Sequence, residues 1–361
     1  MLTSKIQNQP RILITRTDRI GDLVISTTVF QHLRKKFPKA YLAACVFREH
    51  RELVQGNPFL NEVILYEKSG HEKGWLGQLK FSQMIRSKNF DCVFHLHATN
   101  RMHVMSLLAG IPIRIGYNRR EAWALTEAHA YDKKEGLKHE SEYLLDLCAV
   151  ALPQTQTEPL KKGATLSQVS IAPLPFVPVS AGMRISVSNL LQHYGVKEGE
   201  SFAVIHPSAS DVTKMWPVEK FAELMRSWKV ANHWVVIGDG RTSEQAHKIS
   251  KLSALPVIDL CGKLSLGMLA ALFEKAEIVI SNDSGPAHIA AAAGAPTISI
   301  FGRWQPGLNA ERWKPLGRHV AVVIPQTQAI PEAQRKFTYI EDISVEDVRL
   351  AAKSFLSGDA T

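Results

Sequence analysis

Short apolar runs alternate along this chain with amphipathic stretches of helical length. That alternation constrains the fold more than any other feature. Arg11–Thr15 is a β-branched apolar run, and an amphipathic stretch from Leu23 to Phe37 follows it until Pro38 stops the helix. Tyr41–Phe47, Asn61–Tyr66 and Asp91–Leu96 repeat the short run, with a helix expected over Phe81–Lys88. Strands alternating with helices of this length indicate parallel βαβ units.

The pattern breaks between Pro153 and about Gly199. Pro153, Pro159, Pro173, Pro175 and Pro178 interrupt a Gln/Thr/Ser-containing stretch, which places the interdomain region there. The alternation then restarts. Strands are expected at Phe202–His206, His233–Ile237, Val257–Leu260, Ile278–Ser281 and Thr297–Phe301. Helices are expected between them, over Pro217–Trp228, Ser243–Leu252, Ser265–Lys275 and Pro286–Ala293. Ser344-Val-Glu-Asp347 has the spacing of a capping box and opens a last helix over about 344–356. The fold class is therefore α/β, with Rossmann-like domains at 1–180 and 181–361 and a last helix free to pack back on the first. A length of 361 residues suits two such domains.

No stretch reaches the roughly 18 uninterrupted apolar residues of a membrane span. The segment from Met1 to Arg11 is too polar for a signal peptide. Cys45, Cys92, Cys148 and Cys261 lie far apart and read as reduced thiols of a cytosolic protein. The net charge of +9 is uneven: residues 1–160 hold 22 Lys+Arg against 16 Asp+Glu. An anionic partner for the first half follows, whether nucleic acid, a membrane surface or a phosphorylated substrate. No basic-aromatic motif of the RNA-binding kind accompanies the charge, which sets nucleic acid aside.

Three motifs carry chemistry. In Ser281-Asn-Asp-Ser-Gly-Pro-Ala-His288, a strand runs into a helix rich in small residues. Free N–H groups at that helix start attract anions, and Ser284 and Gly285 let a phosphate come close. His288 falls in the first turn, and Asp283 can either cap the helix or accept hydrogen bonds from sugar hydroxyls. In His206-Pro-Ser-Ala-Ser-Asp-Val-Thr-Lys-Met-Trp-Pro217, Ser208 and Ser210 offer hydroxyls and Lys214 a point charge for a diphosphate. In Asp18-Arg-Ile-Gly-Asp22, Asp22 lies at a helix start, where the macrodipole favours its anion. Facing a cleft, it can take a proton from an acceptor hydroxyl, or it is simply a helix-terminal charge. His95 and His97 share a strand face but lack a third metal ligand at a persuasive spacing. The run from Gly238 to Glu244 reads as a solvated loop or a ribose contact. Asp-x-Asp, the usual metal–diphosphate clamp, does not occur.

Asn282-Asp-Ser-Gly-Pro-x-His288, His206-Pro…Lys214-x-Trp-Pro217 and Arg19-Ile-Gly-Asp22 together resemble glycosyltransferase family 9, the ADP-heptose:lipopolysaccharide heptosyltransferases. The likeness runs in order from about residue 11 to residue 303. It implies a GT-B fold, two Rossmann-like domains facing a central cleft, and inverting transfer without metal or other cofactor. It also implies roles: Asp22 as catalytic base, Lys214 on the diphosphate, and Asp283 on the donor heptose. Ser284, Gly285 and His288 would lie on the phosphate side, Ser208 and Ser210 in the donor loop, and Glu244 at the adenosine ribose. A lipopolysaccharide core acceptor carries phosphates and Kdo carboxylates, which Arg16, Arg19, Arg48, Arg51, Arg101, Arg119 and Arg120 can meet. The implied partners are a nucleotide-sugar donor and that acceptor, with peripheral contact at the inner face of the cytoplasmic membrane. Another nucleotide-sugar, a protein or non-lipid glycan acceptor, or a non-catalytic binding role are the alternatives.

Overall fold

The computed structural model describes residues 9–70, 72–97, 100–150, 173–325 and 339–356. Pro153 and Pro159 lie outside the described residues, as do residues 1–8 of the polar start. Two compact units form: Met1–Lys133 with Glu140–Pro175, and Lys134–His139 with Phe176–Thr361.

The first unit contains β1 (Arg11–Arg16), α1 (Ile20–Lys36), β2 (Tyr41–Phe47), β3 (Glu62–Tyr66) and α2 (Gly74–Arg86). It continues with β4 (Cys92–His95), α3 (Asn100–Leu108), β5 (Ile113–Tyr117), β6 (Glu127–His129) and α4 (Glu140–Val150). The strands pair in parallel in the order β3-β2-β1-β4-β5-β6. β1 and β2 are buried almost throughout because helices cover both faces of such a sheet, which explains their unbroken apolar sequences.

The second unit opens with α5 (Ala181–His193), β7 (Phe202–His206), α6 (Val218–Ser227), β8 (His233–Val236), α7 (Ser243–Ser253) and β9 (Ile258–Asp259). It closes with α8 (Leu266–Phe273), β10 (Ile278–Asn282), α9 (Gly285–Ala292), β11 (Thr297–Ile300), α10 (Ala310–Trp313), β12 (Val320–Val323) and α11 (Val345–Leu356). Its strand order, β12-β11-β10-β7-β8-β9, is the same doubly wound arrangement read from the other edge. The strand order reverses at β1/β4 in one sheet and at β7/β10 in the other. Ligands of open parallel sheets bind at such switch points, beyond the strands' carboxyl ends.

One difference from the sequence expectation has a physical cause. α5 falls inside the stretch read as interdomain: Ser180 caps it by accepting from Met183 N–H, and Val187 and Leu191 bury one narrow stripe. The last helix packs against α6, β11 and β12. Its capping box forms as expected, with Asp347 N–H donating to Ser344 Oγ and Ser344 N–H to the Asp347 carboxylate. All four cysteines are buried thiols. No helix among the described residues is long and apolar enough to cross a membrane.

Candidate active site

At the end of β1 the first unit gathers charge that a chain of this kind rarely buries. Arg16 is 2% exposed. Its guanidinium meets Asp18 at 2.9 Å and Asp22 at 2.5 Å, donates to the Leu96 carbonyl at 2.7 Å, and lies 3.8 Å from Glu140. Lys133, also buried, holds the Glu140 carboxylate at 2.6 Å and stands over the Tyr117 ring. Burial works against the Arg16 charge, and Asp18, Asp22 and Glu140 outweigh it. Arg16 is therefore no surface cation for an acceptor. It is the internal counter-charge that fixes the Asp22 carboxylate in the first turn of α1.

Burial is also the main force on Asp18. With the repulsion of Asp22 and Glu140 it pushes this carboxyl up to about 7, against the pull of Arg16. His97 lies 3.6 Å from Asp18 and is lowered to about 4, by burial first and then by Arg16. His95 is not paired with it for metal. The ring nitrogens of His95 lie 2.9 Å from Thr15 Oγ1 and 3.0 Å from Ser106 Oγ, inside the sheet.

The other basic residues stand outside this cluster. Arg19 follows β1, Arg48 and Arg51 follow β2, Arg101 follows β4, and Arg119 and Arg120 follow β5. All six are exposed. Because the strands are parallel, all six lie beyond one carboxyl edge of the sheet. Two already have partners there: Arg48 pairs with Glu67, and Arg119 sits over the Tyr131 ring at 4.9 Å.

In the second unit the constellation forms around the ends of β7 and β10. Asp283 is not the cap of α9; Ser284 occupies that position. One oxygen of the Asp283 carboxylate instead receives two cations, Lys214 Nζ at 2.7 Å and Arg303 at 2.7 Å. Arg303 carries no signal in the motifs, yet it follows β11 at the same carboxyl edge. Ser284 Oγ lies 3.1 Å from His206 Nδ1, and Ser208 Oγ lies 3.0 Å from His206 Nε2. Thr242 Oγ1 in turn donates to Ser208 Oγ at 3.1 Å. Burial lowers His206 to about 4, so a neutral imidazole organises these hydroxyls.

Asn282 holds the stretch from Pro207 to Trp216 at both ends. Its Nδ2 donates to the Pro207 carbonyl at 2.8 Å, and its Oδ1 accepts from Trp216 N–H at 3.0 Å. Gly285 begins α9, with Pro286 in its first turn and His288 6% exposed one residue beyond Ala287. Ser210 and Glu244 are exposed, the latter in the first turn of α7. The structure thus brings Lys214, Asp283, Ser284, Ser208 and the α9 N-terminus together, and leaves Ser210 and Glu244 outside the hydrogen-bonded core. Two cations, a carboxylate and a helix N-terminus at one point can bind an anion beside a polyhydroxyl group.

Comparison with known proteins places this geometry. The family model described as glycosyltransferase family 9 (heptosyltransferase) matches residues 78–340. Lipopolysaccharide heptosyltransferase 3 of Escherichia coli is 25% identical over 304 residues, covering 80% of this chain and 84% of that protein. The crystal structure of a family 9 glycosyl transferase from Veillonella parvula superposes with a TM-score of 0.83 at 20% identity, covering 99% of this chain and all of that one. E. coli ADP-heptose lipopolysaccharide heptosyltransferase II superposes at 0.73, also at 20% identity, over 96% of this chain and all of that one.

Proposed function

The chain belongs to glycosyltransferase family 9, the heptosyltransferase family, and has its GT-B type α/β fold; we propose that it moves a heptose from ADP-heptose to a hydroxyl of a phosphorylated lipopolysaccharide core. The observation that carries this reading is the convergence of Lys214 and Arg303 on one oxygen of Asp283 beside the start of α9. That carboxylate oxygen lies between two cations, a place that suits an anion. With donor bound, the cations turn to the diphosphate and Asp283 accepts hydrogen bonds from the sugar.

The reaction is a direct displacement at the anomeric carbon. Asp22 takes the proton of the acceptor hydroxyl as the new C–O bond forms. The bond from the anomeric carbon to the β-phosphate oxygen breaks, and the electron pair leaves with ADP. Lys214, Arg303 and the α9 N–H groups stabilise that leaving charge as fixed positive groups, which supports a metal-independent step. The arginines at the carboxyl edge of the first sheet fit an acceptor bearing phosphates and carboxylates. Such an acceptor places the enzyme peripherally at the inner face of the cytoplasmic membrane.

The deciding experiment offers ADP-heptose, UDP-sugars and GDP-sugars with truncated core acceptors, with and without EDTA, and identifies the product by mass and linkage. Transfer from ADP-heptose alone, undiminished by EDTA, is the expected result. Asp22→Asn should lower kcat at least about 100-fold, the usual worth of a general base, while ADP affinity stays within about twofold. Turnover that survives this change would remove Asp22 as the base.

A further inference from the structure

One face of α2 is built the wrong way round for a surface helix. Gly77, Phe81, Ser82 and Ile85 are buried, and Phe81 packs edge-on to Tyr66 at 5.2 Å in the core. At about 100° per residue, the opposite side carries Trp75, Leu76 and Leu79. These are 73%, 55% and 38% exposed. A soluble helix puts charged and polar residues there, and clustered large apolar side chains mark an interaction surface.

The charge along the helix itself is of one sign. From Lys73 to Asn89 the chain holds Lys73, Lys80, Arg86 and Lys88 and no Asp or Glu. Lys88 is spent on Glu62, while Lys73, Lys80 and Arg86 are exposed. α2 begins directly after β3, so Trp75 and Leu76 stand at the same carboxyl edge as the exposed arginines of this unit. Trp123, 70% exposed in the β5–β6 connection, stands at that edge too.

We propose that the outward face of α2 is a membrane-docking surface, with Trp75, Leu76 and Leu79 entering the interface of an anionic bilayer and Lys73, Lys80 and Arg86 meeting its headgroups. Tryptophan favours the headgroup level, and lysine and arginine stems cover apolar surface while their charges stay in water. A second copy of the chain fits poorly, since a two-fold contact through this face would set like charges opposite each other. The transfer reading supplies the purpose: a lipid-borne acceptor is presented at the edge where the docking face begins. The docking itself rests on the helix alone.

The test is flotation of the full chain with vesicles of two parts phosphatidylethanolamine to one part phosphatidylglycerol, against pure phosphatidylcholine. The wild type should float with the anionic vesicles only, and less as salt rises. Trp75→Ser, Leu76→Ser and Leu79→Ser combined should lower the bound-to-free ratio at least about tenfold. Lys73→Glu, Lys80→Glu and Arg86→Glu combined should lower it about fivefold per cation removed. Transfer to a water-soluble, delipidated core oligosaccharide should be unchanged in both. Wild type that does not float, or variants that float as well as it does, would overturn the proposal. So would a wild-type dimer at sedimentation equilibrium that the serine variant dissolves. Vesicle binding without heptose transfer would leave the docking face standing and remove the transfer reading instead.

Discussion

Replacing Arg16 by Met tests whether the buried charge cluster of the first unit is balanced as described. The guanidinium serves Asp18 at 2.9 Å, Asp22 at 2.5 Å and the Leu96 carbonyl at 2.7 Å, all in a site 2% exposed. Methionine fills much of the volume and supplies none of the charge. Asp18, Asp22 and Glu140 would then face Lys133 as the one cation of the set still present. Breaking a buried ion pair from one side costs about 3–5 kcal/mol. For a unit of this size each kcal/mol shifts the unfolding midpoint by about 2–4 °C, so the first transition should fall by about 6–20 °C at pH 8.

The pH dependence distinguishes charge from packing. Asp18 sits at about 7 even with Arg16 beside it. Without the guanidinium it rises further, so at pH 5 it is protonated and part of the repulsion disappears. The Arg16→Met deficit should therefore shrink as the pH falls from 8 to 5, which calorimetry at the two pH values measures. Arg16→Lys keeps one charge but cannot fork to two carboxylates, and should fall in between. A deficit under about 2 °C at pH 8, or one that stays constant with pH, would refute the reasoning.

Lys214→Ala and Arg303→Ala should each weaken ADP binding about tenfold or more, the worth of one charged hydrogen bond, as read by titration calorimetry; unchanged affinity in Arg303→Ala would leave it as a partner of Asp283 alone. His206 is held neutral with a folded value of about 4, below the 6.5 of an unfolded histidine. The unfolded chain therefore binds the extra proton, and stability of the second unit should be lost as pH falls from about 6.5 to 4, by about 3 kcal/mol in all. His206→Gln should flatten that slope. Apparent affinity for the phosphorylated acceptor should fall steeply with salt, and charge reversal of exposed Arg119 and Arg120 together should reduce the slope.

The strands were legible wherever both faces are buried, because an unbroken apolar run has few alternatives. Tyr41–Phe47 and Phe202–His206 fall on the positions read from the sequence. The stretch from Asn100 to Val150 was not, since β6 spans three residues and its pattern is too short to show a period. α5 escaped because the prolines before it dominate the composition, while its buried stripe is only Val187 and Leu191. By sequence alone Arg16 falls in with the basic residues that suit an anionic acceptor. A sum over residues cannot tell a solvated arginine from one closing a strand with carboxylates two and six positions on. Arg303 stands alone after β11, and only the rule that ligands gather at the carboxyl ends of parallel strands could have singled it out.

The two hydrogen bonds of Asn282 make the stretch from Pro207 to Trp216 a closed ring of chain. Closing a loop of that length costs conformational entropy, and here the cost falls on folding rather than on ligand capture. Lys214 is thus tethered within a circuit whose ends cannot drift, while the residues between them keep room to adjust. A small, uncharged amide thereby anchors the chain at Trp216, two residues or about 7 Å of extended backbone from Lys214. A change such as Asn282→Ala would leave the Pro207 carbonyl and the Trp216 N–H without this partner and loosen the loop, while the charges of Lys214, Asp283 and Arg303 stay as they are.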